Sequence, residues 1–203
     1  MPVRVFIAGS WGSMVSQAAH LALWGNPEAE IVGLQLGATS VDEVRAAKPD
    51  LLLSAAHRYY LPMEVRSLAS LGSVGLHPSL LPAYRGSWPL WWALHHGERN
   101  VGMSLFVLDE GIDTGDILAQ AVERVRAGDT FEGLYERVAP LAIPMVGWLI
   151  DEVVRTGRLP DGTPQNEAGA SDYGVPSLLQ RGVHRLLHPT RRRSTRRLNR
   201  PCG

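Results

Sequence analysis

An imidazole at His77 and a carboxylate at Asp113 follow two strand-like runs, residues 73–76 and 102–108. In open α/β sheets, ligands and chemistry gather on loops at the carboxyl ends of strands. The pair suits transfer of an acyl-type group to an amine. Such a reaction needs stabilisation of an oxyanion, a destination for the amine's proton and a proton for the leaving nitrogen. His77 can donate to the oxyanion or the leaving group, and a carboxylate such as Asp113 nearby would favour the charged imidazole. Pro78 and Pro82 stiffen the segment after the histidine.

The elements that must position these groups alternate in type. Residues 3–8 read as a buried strand, 13–24 as a helix with apolar residues at helical spacing, 31–36 as a strand, 41–47 as a short helix and 51–54 as a strand. A helix is predicted over 61–71, with Pro62 in its first turn. A strand over 74–76, a helix over 88–96 and strands over 102–108 and 117–125 follow. The longest helical pattern covers 130–155. Asp129 and Glu132 have capping-box spacing, Gly157 is a stop signal, and Pro140 and Pro144 should kink the helix or split it in two. The alternation implies an α/β fold of Rossmann-like kind, a mostly parallel twisted sheet flanked by helices.

The 203 residues suffice for one domain with its own core, and 45% hydrophobic with 20% charged content is that of a soluble globular chain. No apolar run is long enough to cross a bilayer. The first strand begins at once, without a basic leader, and a single cysteine, Cys202, can form no disulfide within the chain. The expected setting is the cytoplasm.

The net charge of zero hides a body carrying −8 and a stretch from 181 onward carrying +8. Residues 1–177 are read as the domain and 178–203 as a basic, solvated tail. The arginine run at 191–197 could meet nucleic-acid phosphates, but a solvated tail is the expected reading, and the histidines have no metal-cluster spacing.

The run His77-Pro-Ser-Leu-Leu-Pro-Ala-Tyr-Arg-Gly86, then Trp92–Glu98, then Asp109-Glu-Gly-Ile-Asp-Thr-Gly-Asp-Ile-Leu-Ala-Gln120 resembles the folate-dependent formyltransferase family. That family includes methionyl-tRNA, glycinamide-ribonucleotide and nucleotide-sugar N-formyltransferases. The similarity extends to Pro49-Asp50-Leu51, Leu61-Pro62, Leu134–Arg137 and Pro164–Glu167, so it covers roughly residues 3–175. The resemblance implies transfer of a formyl group from 10-formyltetrahydrofolate, as cosubstrate, to an amine, and the expected acceptor is a small amine or amino sugar. His77 and Asp113 match the family's catalytic histidine and aspartate. The pterin would be held largely by backbone groups of Arg58, Tyr60 and Leu61, of Ser79, Leu80, Leu81 and Pro82, and of Glu110 and Ile112. The chain has His57-Arg58 where the family often has Tyr-Gly.

One position departs from the motif: the family's Asn-x-His pair reads Gly75-x-His77 here. Losing a comparable oxyanion donor costs roughly 10²–10³ in rate. A water, Asn100 or Asn166 could replace it, whereas Ser73 lies too far back. Three readings stay open: a slow or rewired formyltransferase, another folate-linked reaction such as release of formate, or a non-catalytic folate-binding relative.

Other features have two readings each. Gly9–Ser13 is an ordinary strand-to-helix turn or an anion site; Trp88, Trp91 and Trp92 are core or the wall of an acceptor pocket. The short segment after residue 36 suggests a small acceptor. A homodimer is one arrangement left open.

Overall fold

The computed structural model describes residues 1–181. Strands β1 (Val3–Gly9), β2 (Ala29–Leu36), β3 (Leu51–Ala55), β4 (Gly72–His77), β6 (Asn100–Val107) and β7 (Ile117–Arg124) form one sheet in the order β2-β1-β3-β4-β6-β7. The first four are parallel; β6 and β7 are antiparallel additions at one edge. Two-residue strands β5 (Arg85–Gly86) and β8 (Asp172–Tyr173) form a separate parallel pair. The apolar runs of β1 and β3 are almost wholly buried, as strands covered on both faces require.

Helices α1 (Met14–Leu23), α5 (Phe131–Val138) and α6 (Ala142–Thr156) share one core cluster with β1, β3, β4 and β6. Helix α2 (Val41–Ala47) and the short α3 (Met63–Arg66) contribute to a second cluster around Phe6, Leu52, Leu61 and Val65. Helix α4 (Pro89–His95) follows β5. Among the described residues, no helix is long and apolar enough to cross a membrane.

The long helical pattern is broken as its prolines require: a 3-10 turn at Ala139–Leu141 separates α5 from α6, and Gly157 ends α6 at φ 72. Three expectations are corrected. The helix over 61–71 shrinks to one turn because tertiary bonds take its backbone: Ser70 N–H donates to Pro49 O and Leu71 N–H to Asp50 O. Thr130, not Asp129, caps α5, accepting from Gly133 N–H, while Asp129 accepts from Arg126 N–H and pairs with Arg137. Residues 178–181 are helical rather than irregular. There Ser177 and Gln180 cap one another reciprocally, Gln180 Oε1 accepting from Ser177 N–H and Ser177 Oγ from Gln180 N–H. The remainder of the expected tail lies outside the described residues.

The chain steps from β1 to β2 on one side and then to β3 on the other, so the strand order reverses at β1 and β3. A reversal of this kind opens a crevice at the carboxyl ends of the strands.

Candidate functional site

His77 is the last residue of β4 and is 7% exposed. Its Nε2 lies 2.7 Å from the Tyr84 carbonyl oxygen. A carbonyl only accepts, so Nε2 carries a proton and Nδ1 is the nitrogen left to exchange one. Nδ1 faces Asp113 Oδ2 at 3.4 Å, and the same carboxylate oxygen accepts from Gly86 N–H at 2.8 Å. The two residues expected to act together are therefore adjacent.

Their meeting is not a simple consequence of strand order. Because β6 is antiparallel to β4, the segment after β6 begins beside Ser73, where Leu108 N–H donates to Ser73 O at 2.9 Å. It must fold back to bring Asp113 to His77. Gly115 permits this: a Cβ there would stand 1.9 Å from the Val107 carbonyl oxygen. Asp113 itself sits at φ 56, and Tyr84, whose carbonyl holds His77, at φ 62. Left-handed backbone at non-glycine residues costs free energy and persists only where its surroundings enforce it.

One side chain does much of that enforcing. Gln165 Nε2 donates to the carbonyl oxygens of Asp113 at 2.9 Å and Gly115 at 2.7 Å. Its Oε1 accepts from Arg85 Nε and Nη2, and Arg85, 3% exposed, also makes a two-pronged pair with Glu167. That bond holds the Glu167 carboxyl below its ordinary range. Gln165 and Glu167 lie within the matched motif, but sequence spacing assigned them no role.

The segment after His77 is fixed from β6 and β7. Ser104 Oγ donates to Ser79 O and accepts from Leu81 N–H, while Gln120 Nε2 donates to Leu81 O. Ser79 Oγ donates to Ala83 O. Several of the polar groups at 79–81 are thus engaged within the protein. Ser79 and Leu80 also line a hollow of about 120 Å³ with Tyr84, Glu98 and Asn100.

The remaining residues expected to hold a pterin are divided. Tyr60 and Glu110 come together, the phenol donating to the Glu110 carbonyl at 3.3 Å, with Leu61 buried close by in sequence and Ile112 exposed. Arg58 belongs to a different place: its N–H donates to Ser10 Oγ, and it lines a hollow of about 420 Å³ with Trp11, Trp88, Phe131 and Tyr135 at the strand-order reversal. Neither hollow has His77 or Asp113 in its lining. Trp88 stacks on Phe131 at 5.6 Å, while Trp91 and Trp92 are buried, so the three tryptophans divide between pocket wall and core.

The space beside Gly75 holds neither of the amides expected there. Asn166 caps the 3-10 turn Glu167–Gly169, Asn100 lines the smaller hollow, and Ser73 Oγ donates to Arg66 O. Gly75 pairs across the sheet with Phe106, whose ring covers it: a Cβ at 75 would lie 2.5 Å from Cε1 and 2.6 Å from Cζ. A buried phenyl ring occupies the position a donor side chain would need.

The chain matches the family model described as formyl transferase over residues 34–145. A methionyl-tRNA formyltransferase from Paraburkholderia phytofirmans is 33% identical over 170 residues, 84% of this chain and 49% of the relative. The chain spans about half the length, or less, of the first such curated relatives. Among solved structures, HypX from Aquifex aeolicus in complex with tetrahydrofolic acid superposes with a TM-score of 0.71 at 22% identity, over 88% of this chain and 30% of HypX. An N-formyltransferase from Helicobacter canadensis, in complex with folinic acid and dTDP-3-aminofucose, has a TM-score of 0.67 at 16% identity, over 85% and 71% of the two chains. Fold, sheet order and the matched sequence agree: this chain belongs to the formyl transferase family.

Proposed function

We propose that the protein transfers the formyl group of 10-formyltetrahydrofolate to a small amine or amino sugar. The observation that carries this reading is the contact between His77 Nδ1 and Asp113 Oδ2, on a loop locked by Gln165. The cosubstrate supplies an electrophilic N-formyl carbon. Asp113 orients the acceptor amine and takes the proton it loses on forming its new C–N bond. His77 Nδ1 delivers a proton to the donor nitrogen as the old C–N bond breaks, with Nε2 held on the Tyr84 carbonyl throughout.

Tyr60, Leu61, Glu110 and Ile112 are the residues that would hold the pterin, and a buried guanidinium nitrogen without a partner, Nε of Arg66, fits a ligand that brings an acceptor. The 420 Å³ hollow is the acceptor's place. Its aromatic lining and single cation, Arg58, suit a small molecule with a flat or sugar-like body. Cytoplasmic residence and residues 1–177 as the acting domain belong to the same proposal.

The test is incubation of the full chain with 10-formyltetrahydrofolate and a panel of amines, reading tetrahydrofolate release. No release with any amine, together with no binding of folate at millimolar concentration, refutes the reading. A second reading, folate binding without transfer, is favoured by the Phe106 ring over Gly75. It predicts thermal stabilisation by folate without turnover. Formate release in the absence of amine would instead mark water as the acceptor.

A further inference from the structure

Among the described residues two arginines are buried, Arg66 and Arg85, and a third, Arg137, is partly so; their surroundings differ. Arg85 meets Glu167 and Gln165, and Arg137 meets Glu123 and Asp129. Arg66, at the end of α3 and 5% exposed, forms no ion pair among the described residues. Its Nη2 donates to the Tyr60 phenol oxygen at 2.6 Å and its carbon Cζ stands 5.0 Å from the Tyr60 ring centre. Its Nε is sealed from solvent and has no acceptor.

A guanidinium carries five N–H donors and loses much hydration on burial. One phenol oxygen is a poor replacement. The adjoining positions Leu61 and Val65 belong to an apolar cluster, where a hydrophobic side chain would pack at lower cost. Within the protein alone the cation's return is one bond to the Tyr60 phenol and the contact with its ring, with Nε left unsatisfied.

Its position supplies a further return. The phenol that accepts from Arg66 donates in turn to the Glu110 carbonyl, three residues before Asp113. Arg66, Tyr60 and Glu110 therefore form a bonded chain that joins two of the segments assigned above to the one-carbon donor. We infer that Arg66 is a specificity-determining residue for that donor, its guanidinium receiving the ring carbonyl oxygen of a reduced pterin while Tyr60 gives way. The inference rests on the folate reading above. A ring carbonyl is favoured over the glutamyl carboxylate because a flat bicycle can enter a buried place that a flexible, hydrated dianion would have to dehydrate to reach.

The experiment titrates the full chain and its Arg66→Met variant by calorimetry with two probes, tetrahydrofolate and 6-methyltetrahydropterin, which lacks the glutamyl tail. Melting temperatures of the unliganded proteins are measured alongside. The expected result is a loss of roughly tenfold to a hundredfold in affinity for both probes, with a melting temperature equal to or above that of the parent. Equal affinities in parent and variant overturn the inference, and so does a lower melting temperature, which would make Arg66 a structural group. Loss confined to tetrahydrofolate overturns the ring assignment in favour of the carboxylate.

Tyr60→Phe provides a second arm, because Tyr60 is exposed and its hydroxyl alone bridges Arg66 to Glu110. Tyr60 is assigned to the pterin through its backbone, which this variant keeps, so removal of the hydroxyl frees Arg66 and should strengthen binding of both probes; weaker binding of the pterin overturns the inference. A parent protein that binds neither probe refutes the folate reading itself, an outcome distinct from an Arg66 variant that binds like its parent.

Discussion

Two positions on one strand have had opposite treatment. At residue 77 the imidazole is held by the Tyr84 carbonyl, faces Asp113, and is backed by a relay of bonds through Gln165 to Arg85. At residue 75, on the same face of β4, there is no side chain and a phenyl ring covers the backbone. The half of the site proposed to handle protons is held by several bonds, and the half where the motif places an amide donor is apolar. Under the proposed function, acid–base chemistry and oxyanion stabilisation are therefore separable by substitution.

The largest expected effects are at the proton-handling half. Under the proposed function, His77→Ala lowers formyl transfer by about 10²–10⁴. Asp113→Asn has a comparable effect without unfolding the loop, because an amide oxygen can still accept from Gly86 N–H. Both are read as kcat/KM for tetrahydrofolate release, with melting curves as controls. Retained activity in either variant would break the comparison at its stronger side.

The other half is tested by rebuilding it. Gly75→Asn alone forces Phe106 aside and should destabilise the protein by about 1–3 kcal/mol. Combined with Phe106→Val the ring is removed, and Leu108 Cδ2, 3.0 Å from a Cβ at 75, must shift to give the amide room. If the missing donor is all that separates the two halves, the double variant gains up to ~10²–10³ in rate. Unchanged or lower activity, in a protein that melts like its parent, would mean that the glycine and the ring serve a different reaction.

Much of this organisation is legible in the chain because it depends on local order. β1, α2, the proline break after α5 and the pairing of the His77 and Asp113 motifs follow from periodicity, turn residues and a long motif. What sequence reading misses depends on contacts between distant segments. The ring over Gly75 requires the antiparallel register that sets 75 opposite 106. The end of α3 is decided by bonds to residues 49 and 50. Arg58 lines the aromatic hollow while Tyr60, two positions on, bonds to the Glu110 carbonyl instead, which no pattern of residue types records.

Gln165 allows a graded test of the stronger half. Gln165→Leu leaves the carbonyls of Asp113 and Gly115 without their donor and Arg85 with fewer acceptors. A cost of about 1–3 kcal/mol in stability is expected, with transfer reduced roughly tenfold to a hundredfold as Asp113 loses its position. If stability falls while kcat/KM is unchanged, the relay holds the fold and not the carboxylate.

The smallest effect concerns a second histidine, His57, between β3 and the aromatic hollow. Its Nδ1 donates to the Gly9 carbonyl at 2.9 Å and its Nε2 lies 3.4 Å from the Thr39 hydroxyl. Burial lowers its pKa from the ordinary 6.5, only partly offset by the Gly9 bond. The unfolded chain therefore takes up this proton first as the solution is acidified. The contribution to stability is fully present above about pH 6.5 and is lost as pH falls through the depressed folded value. Melting temperature should decline slightly between pH 7 and pH 5, and His57→Gln should flatten that part of the curve while leaving the acid limb set by the carboxylates. If His57→Gln instead removes a pH dependence of kcat and leaves melting untouched, proton handling is not confined to the His77 side, and the division between the two halves of the site fails.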